Sequence, residues 1–269
     1  MRGSRRCVTN VTEVKICLAD RTRLPLNSNK IEARILFVNS EIIEIFRKAE
    51  LFSGLDDNVL KTLANHSVEK RLARNEILFI ADDDAAGLYL IAEGSVRAFR
   101  TGMDGREQVI HVERAVTTIA EPPVFDNGKY PSTAAAEEPS KVFFIPKEKL
   151  LSACIGHPEL ALAAARLLAR RLRRCAELVE SLSLREVGQR LAQLLLSQGG
   201  AIGRQTADGV SFTQPLTHNQ LAARIGTVRE VVTRVLFRLQ QQGLMSIAGK
   251  KILIPDTTAL AGYAETELL

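Results

Sequence analysis

The stretch LTHNQLAARIGTVREVVTRVLFRLQQQG, Leu216 to Gly243, decides how this chain is read. Thr217-His218-Asn219-Gln220 has the spacing of a capping box, in which a Thr hydroxyl and a Gln amide satisfy exposed helix-start groups reciprocally. A short helix follows through Leu221, Ala222 and Ile225, and Gly226 breaks it. Thr227-Val228-Arg229-Glu230 reads as a second capping box. Beyond it, apolar residues at 228, 231, 232, 235, 236 and 239 make one buried helix face, and Gly243 suits the end. Two short helices across a glycine turn form a helix-turn-helix. The outer face of the second helix displays Arg229, Glu230, Thr233, Arg234 and Arg238. Arg grips guanine O6 and N7 bidentately, and Glu accepts from cytosine N4. Arg229, Glu230, Thr233 and Arg234 are therefore the expected base-reading set.

The segment Leu244 to Ile254, centred on Gly249-Lys250-Lys251, reads as a β-hairpin wing. Lys250 and Lys251, with Thr217 and Thr227 at the helix starts, are the expected phosphate contacts, which fix position rather than sequence. Charge agrees. The whole chain of 269 residues carries 36 Lys and Arg against 31 acids, a surplus of only five. Between Arg185 and Pro255 stand nine Lys and Arg against three acids, a local surplus of six, so the remainder sums to about −1. A winged helix that docks a protein, its arginines merely solvated, is the alternative. The residue types on the outer face favour double-stranded DNA.

Upstream the period changes twice. Ile42, Ile43, Ile45 and Phe46 share a helical face, and Leu60, Leu63 and Ala64 continue that spacing. From about Val68 to Pro146 short strands take over: 77–80, 88–91, 96–100, 109–112 and 142–145. Turn signals separate them at Asp82-Asp83-Asp84, Gly94, Gly102 to Gly105 and Asp126-Asn127-Gly128. Many short strands at close spacing imply an antiparallel barrel or jelly roll. The fold class is thus α+β: an antiparallel barrel or jelly roll over 41–157, a long helix over 158–184, a winged helix-turn-helix over 185–255 and a tail over 256–269. Residues 1–40 show no clean period and read as an extension with little order of its own.

The helical stretch from Pro158 to about Ser197, ended by Gly199-Gly200, carries a heptad seam. Leu168, Cys175 and Leu182 recur every seven residues, as do Ala165, Leu172 and Val179. Alternating spacings of four and three are those of a coiled coil, so Leu168, Leu172, Cys175, Val179 and Leu182 are the expected homodimer interface. Cys175 would face its symmetry mate there, as a small packer or as half of an intersubunit disulfide.

Composition excludes several classes. At 46% hydrophobic and 25% charged the chain is ordinary globular sequence. No uncharged run approaches the roughly 20 residues of a membrane helix, and the basic start Met1 to Arg6 lacks the apolar core of a signal peptide, so a cytoplasmic location is expected. Cys7, Cys17, Cys154 and Cys175 are scattered, which argues against a disulfide framework or structural zinc. No nucleophile–base–orienter set appears, so an enzyme is not expected.

Three blocks carry a family resemblance. Leu88 to Val96 (LYLIAEGSV), Ala169-Arg170-Arg171-Leu172 and Arg229 to Arg234 (REVVTR) resemble the β-roll, long helix and recognition helix of CRP/FNR-family bacterial transcription regulators. The resemblance runs from about Leu51 to Ile254. It implies a two-fold dimer on a palindromic operator with TGTGA-like half-sites, read by Arg229, Glu230 and Arg234, and contact with RNA polymerase if the protein activates. A related module acting through protein contacts alone is the second reading.

The resemblance also implies an effector pocket, at Glu121, Ser132 and Cys175. Here the sequence departs from the cyclic-AMP pattern. The phosphate cassette of that branch supplies Gly-Glu and later Arg-Ser; this chain has Ala120-Glu121 and Pro131-Ser132. A cyclic phosphate needs that guanidinium. Cyclic AMP is therefore not the expected effector. An iron–sulfur cluster is not expected either, since Cys7 and Cys17 lack a third close cysteine. Haem, with His66, His111 or His157 as ligand, is the weaker remaining cofactor reading.

Overall fold

The computed structural model describes residues 40–265. The expected extension, Cys7 and Cys17 lie outside the described residues. A helix over residues 40–48 (α1) buries Phe46 and packs Ile42, Ile43 and Ile45. A single 3-10 turn, Glu50–Phe52, then buries Leu51 and Phe52, and α2 (Asp57–Asn65) buries Leu60 and Leu63 at helical spacing.

Eight strands follow: β1 (Val68–Leu72), β2 (Ile77–Phe79), β3 (Gly87–Glu93), β4 (Ser95–Thr101), β5 (Glu107–Arg114), β6 (Thr117–Ile119) and, after the short α3 (Pro122–Asp126), β7 (Thr133–Ala136) and β8 (Ser140–Pro146). They build two antiparallel four-stranded sheets in the orders β1-β8-β3-β6 and β2-β7-β4-β5. Strand alternation decides which core each residue joins. Along β3, Leu88 and Leu90 face the helices, while Ile91 faces the other sheet. Along β8, Phe143 and Ile145 join the helical side and Val142 the inter-sheet side. Gly94 is the whole connection between β3 and β4. Its φ of +82° and a would-be Cβ only 2.3 Å from Ser140 Oγ admit no other residue there.

The remaining chain is α4 (Lys147–Gly156), α5 (Pro158–Leu184), α6 (Val187–Ile202), β9 (Arg204–Thr206), β10 (Gly209–Thr213), α7 (His218–Ile225), α8 (Arg229–Gln241), β11 (Ser246–Ala248), β12 (Lys251–Ile254) and α9 (Thr257–Glu265). The long helical stretch is interrupted only at Arg185–Glu186, where Glu186 and Gln189 form a capping box that starts α6. A third sheet, β11-β12-β10-β9, closes over α6, α7 and α8 around Leu191, Leu195, Leu221, Leu236 and Ile254.

The structure corrects four sequence expectations. The first is helix end at Gly199-Gly200: α6 continues to Ile202, because Gly199 lets Val210, Phe212 and Ile254 pack at 3.4–3.6 Å from where a Cβ would stand. A second is the tail over 256–269. It holds α9, whose Leu260 and Ala264 are buried against α6. Third, Thr227 does not cap α8. The N-cap is Val228, extended at φ −113°, and no side chain caps it. Finally, β1, β6 and β7 are additional strands. β1 has only Leu72 buried and β7 is three alanines behind a threonine, so neither shows a strand's apolar alternation.

Candidate nucleic-acid interface and sensor site

α7 and α8 form the expected helix-turn-helix. At the start of α7 the Gln220 amide donates to Thr217 Oγ1 at 3.3 Å, and the Thr217 amide donates to Gln220 Oε1 at 2.9 Å. Gly226 ends α7 in the left-handed region at φ +68°. On α8, Val232, Val235, Leu236 and Leu239 are buried, which turns Arg229, Glu230, Thr233, Arg234 and Arg238 to solvent. Among the described residues no ion pair engages Arg229, Glu230, Arg234 or Arg238. Thr233 is different. It donates to the Arg229 carbonyl at 3.1 Å and lies 2.9 Å from His218 Nδ1, so it ties α8 to α7. His218 was not singled out in the sequence; its place at the first turn of α7 is the signal that could have found it.

The wing is the β11–β12 hairpin, turned at Gly249 with φ +62°. Lys250 and Lys251 are exposed on it. The Gln214 amide donates to the Lys250 carbonyl at 2.8 Å, which fixes the hairpin beside the start of α7. This face therefore offers exposed, unneutralised guanidiniums flanked by two lysines.

On α5 the seam positions split. Leu168 and Leu182 are half-buried on their own chain, whereas Cys175 is exposed and Leu172 and Val179 are 72% and 63% exposed. Leu184 and Leu162 also stand out at this helix's surface. An apolar stripe thus runs along α5 with nothing on it among the described residues.

Beside that stripe α5 holds what the sequence did not reveal. Arg171 reaches into the β-roll, where its Nη1 lies 2.7 Å from Glu121 Oε2 and its Nη2 donates to the Thr118 carbonyl at 2.5 Å. Arg171 is also 3.4 Å from Glu113, which Arg174 approaches at 3.7 Å and His111 at 3.3 Å. Glu121 is fully buried and Glu113 nearly so. Burial by itself would raise the Glu113 carboxyl; His111, Arg171 and Arg174 outweigh that and hold it below the ordinary carboxylate range. The sequence signal was the run Arg170-Arg171-Leu172-Arg173-Arg174 inside an otherwise amphipathic helix.

Glu121 and Ser132, expected at an effector pocket, are both buried in the β-roll. Cys175 is one turn beyond Arg171 on the exposed helix surface, so Arg171 is the α5 residue that meets Glu121. Ala120 adopts φ +76°, a conformation normally kept for glycine, at the place where the cyclic-AMP pattern has glycine. Nearby, Tyr130 stacks on Phe79 with centroids 4.1 Å apart and donates to the Gly87 carbonyl at 3.3 Å. Burial and then Tyr89 raise its phenol well above the ordinary range, so it remains protonated. A cyclic phosphate does not fit this donor set: position 131 is proline, and the guanidinium present is committed to carboxylates.

The histidines considered for haem are apart: His66 at the end of α2 beside the Thr62 carbonyl, His111 on β5 beside Glu113, and His157 between α4 and α5 beside Glu159. No helix among the described residues is long and apolar enough to cross a membrane.

Comparison with known proteins finds two sequence families. The profile described as "Cyclic nucleotide-binding domain" matches residues 69–157, and "Crp-like helix-turn-helix domain" matches residues 189–263. A CRP-like cAMP-activated global transcriptional regulator of Mycobacterium tuberculosis is 28% identical over 221 residues, covering 82% of this chain and 99% of that protein. The global nitrogen regulator of Synechococcus elongatus is 28% identical over 194 residues, covering 71% of this chain and 87% of its own. Among solved structures, a CRP/FNR-family regulator from Eubacterium rectale superposes with a TM-score of 0.68 at 21% identity, covering 82% of this chain and all of that one. At that identity the likeness speaks for the fold.

Proposed function

This chain belongs to the CRP/FNR family of transcription regulators, with a Crp-like helix-turn-helix, and from that premise we propose that it binds a palindromic operator with TGTGA-like half-sites as a homodimer. The observation that carries the reading is the solvent face of α8, where Arg229, Glu230 and Arg234 stand exposed and without an acidic partner among the described residues. Arg229 and Arg234 each take a guanine, Glu230 a cytosine, and Thr233 holds α8 in register against His218. Lys250 and Lys251, with Thr217 and Thr227, meet phosphates.

The dimer forms along α5. Leu172, Cys175 and Val179 complete their burial against a second copy, and Leu168 and Leu182 flank them. Residues 41–157 are the sensor, 158–184 the dimerisation helix and 185–265 the DNA-binding domain, α9 included. The effector is a molecule other than cyclic AMP, or the protein has none. Pro131 in place of the phosphate-binding arginine supports this, as does the engagement of Glu121 by Arg171 of the same chain. As an activator it would also touch RNA polymerase.

A gel shift tests the reading. Purified protein should retard a TGTGA-N6-TCACA duplex at least a hundredfold more tightly than a duplex with the guanines and cytosines of both half-sites exchanged. Equal affinity for the two would overturn the base-reading assignment.

A further inference from the structure

The flank of the helix-turn-helix opposite its own core is pressed against the β-roll. Arg224, in the last turn of α7, points away from the buried Leu221, Ala222 and Ile225. Its Nη2 donates to both oxygens of Glu137, at 2.6 and 2.7 Å, with the two side chains only 18% and 15% exposed. Glu137 follows β7 directly, and its amide donates to the Ser95 carbonyl at 2.8 Å, so the carboxylate sits on a rigid sheet. Ala223 of α7 lies on a small apolar patch of Phe99, Val109 and Ala135. The turn at Gly226 closes so tightly that a Cβ there would stand 2.6 Å from Gln108 Oε1 on β5 and 2.7 Å from Leu182 Cδ2 on α5.

Beside these contacts runs a cleft of about 720 Å³. Thr217, Thr227, Arg229 and Glu230 form one wall, and Arg97 and Arg106 of the β-roll stand on the other. At roughly 30 Å³ per molecule the cleft has room for about two dozen waters. It is far too small for a DNA duplex, which must bring its major groove over α8 to be read.

We propose that Glu137 and Arg224 form a clasp that holds the helix-turn-helix on the sensor and keeps DNA off the start of α8, so that opening the clasp is the regulatory step. The inference rests on the DNA-binding reading above. The clasp acts twice: it places the sensor wall across the approach to Arg229 and Glu230, and it neutralises Arg224, one of the cations of the DNA-binding region. A largely desolvated pair of this kind persists only while both partners stay in place, so loss of one partner weakens the whole contact. Any event that separates α7 from β5 therefore clears the way for a duplex to reach the start of α8.

Glu137→Gln in the full-length protein tests it with two readouts. Amide hydrogen exchange over residues 221–228 and 97–109 reports the clasp without DNA. Fluorescence anisotropy with the TGTGA palindrome, and with a scrambled duplex at low salt, reports its consequence. The variant should lose protection in both segments and bind DNA at least about fivefold more tightly than the unmodified protein. Restored protection in the Glu137→Arg, Arg224→Glu double variant would show that the pairing, not the fold, is read out. Unchanged protection in Glu137→Gln overturns the clasp. Lost protection with unchanged or weaker binding to both duplexes overturns its inhibitory role. If the palindrome binds no better than the scrambled duplex, the operator reading fails instead, and the scrambled duplex still decides the clasp.

Discussion

Two helices of this chain carry clustered arginines, and the fold treats the clusters in opposite ways. On α5, Arg170 meets Glu50, Arg171 meets Glu121 and Glu113, and Arg174 approaches Glu113. On α8, Arg229, Arg234 and Arg238 meet no acid among the described residues and lie in solvent. A guanidinium paired with buried carboxylates of its own chain, as Arg171 is, acts as a structural tie because its charge is offset where it sits. A guanidinium left with open donors on a rigid helix is arranged for an anion from outside. Residue type alone does not separate the two cases; the acids that tertiary folding brings near do.

The sharpest way to break this contrast is on the α5 side. Arg171→Ala strands the fully buried Glu121 and should lower unfolding free energy by about 3–5 kcal/mol in urea denaturation. Arg234→Ala, by the same measurement, should stay within about 0.5 kcal/mol of the parent protein. Similar losses for both would erase the distinction. On the α8 side, Arg229→Ala and Arg234→Ala should each surrender about 1–3 kcal/mol of discrimination at a single guanine, read by anisotropy titrations against base-substituted operators. Retained ratios at every position would remove these two from the base-reading set.

Acidity sharpens the comparison further. The Glu113 carboxyl is held below its ordinary value in the folded chain, so its contribution to stability is complete above about pH 4.3 and fades as pH falls through the lowered value. Thermal melts of Glu113→Gln should accordingly show a shallower loss of Tm over that acid range than the parent protein. The same slope in both would mean that the cluster does not stabilise the folded state. The smallest effect belongs to the wing: Lys250→Ala should weaken all DNA sequences alike and reduce the salt slope by about 0.9. A sequence-dependent change would place Lys250 on bases.

The helix-turn-helix was readable because each of its signals is local. The Thr217–Gln220 capping box, the Gly226 turn and the apolar series 232, 235, 236 and 239 all act within one or two turns of helix. Strands β3, β4, β5 and β8 were readable for a similar reason, since each holds a short apolar or β-branched run bounded by turn residues, and β3 and β8 are buried on both faces. β7 was not: Ala134, Ala135 and Ala136 are strand residues because the sheets on either side bury them, not because alanine prefers that conformation. α9 likewise owes its helix to Leu260 and Ala264 docking on α6. In the β-roll, Glu121 stood out in the linear sequence, but its partner Arg171 did not. The Glu121–Arg171 and Glu137–Arg224 pairs join residues 50 and 87 positions apart, and nothing in a linear pattern marks which arginine of a basic helix will be drawn inward.

The two-residue break at Arg185–Glu186 has a mechanical consequence. α5 ends there and α6 begins at once, its first turn closed by Glu186 and Gln189 and its body braced by Tyr263, whose hydroxyl lies 2.4 Å from where a Cβ on Gly188 would stand. So short and well capped a joint absorbs little motion by unwinding; it converts it into a change of direction. The 16 residues of α6 make a lever arm about 24 Å long, and a tilt of about 10° sweeps its far end through roughly 4 Å, more than the ~3.4 Å rise of one base pair. A small rotation at this elbow would thereby be amplified along α6 into a displacement on the scale of one base-pair step.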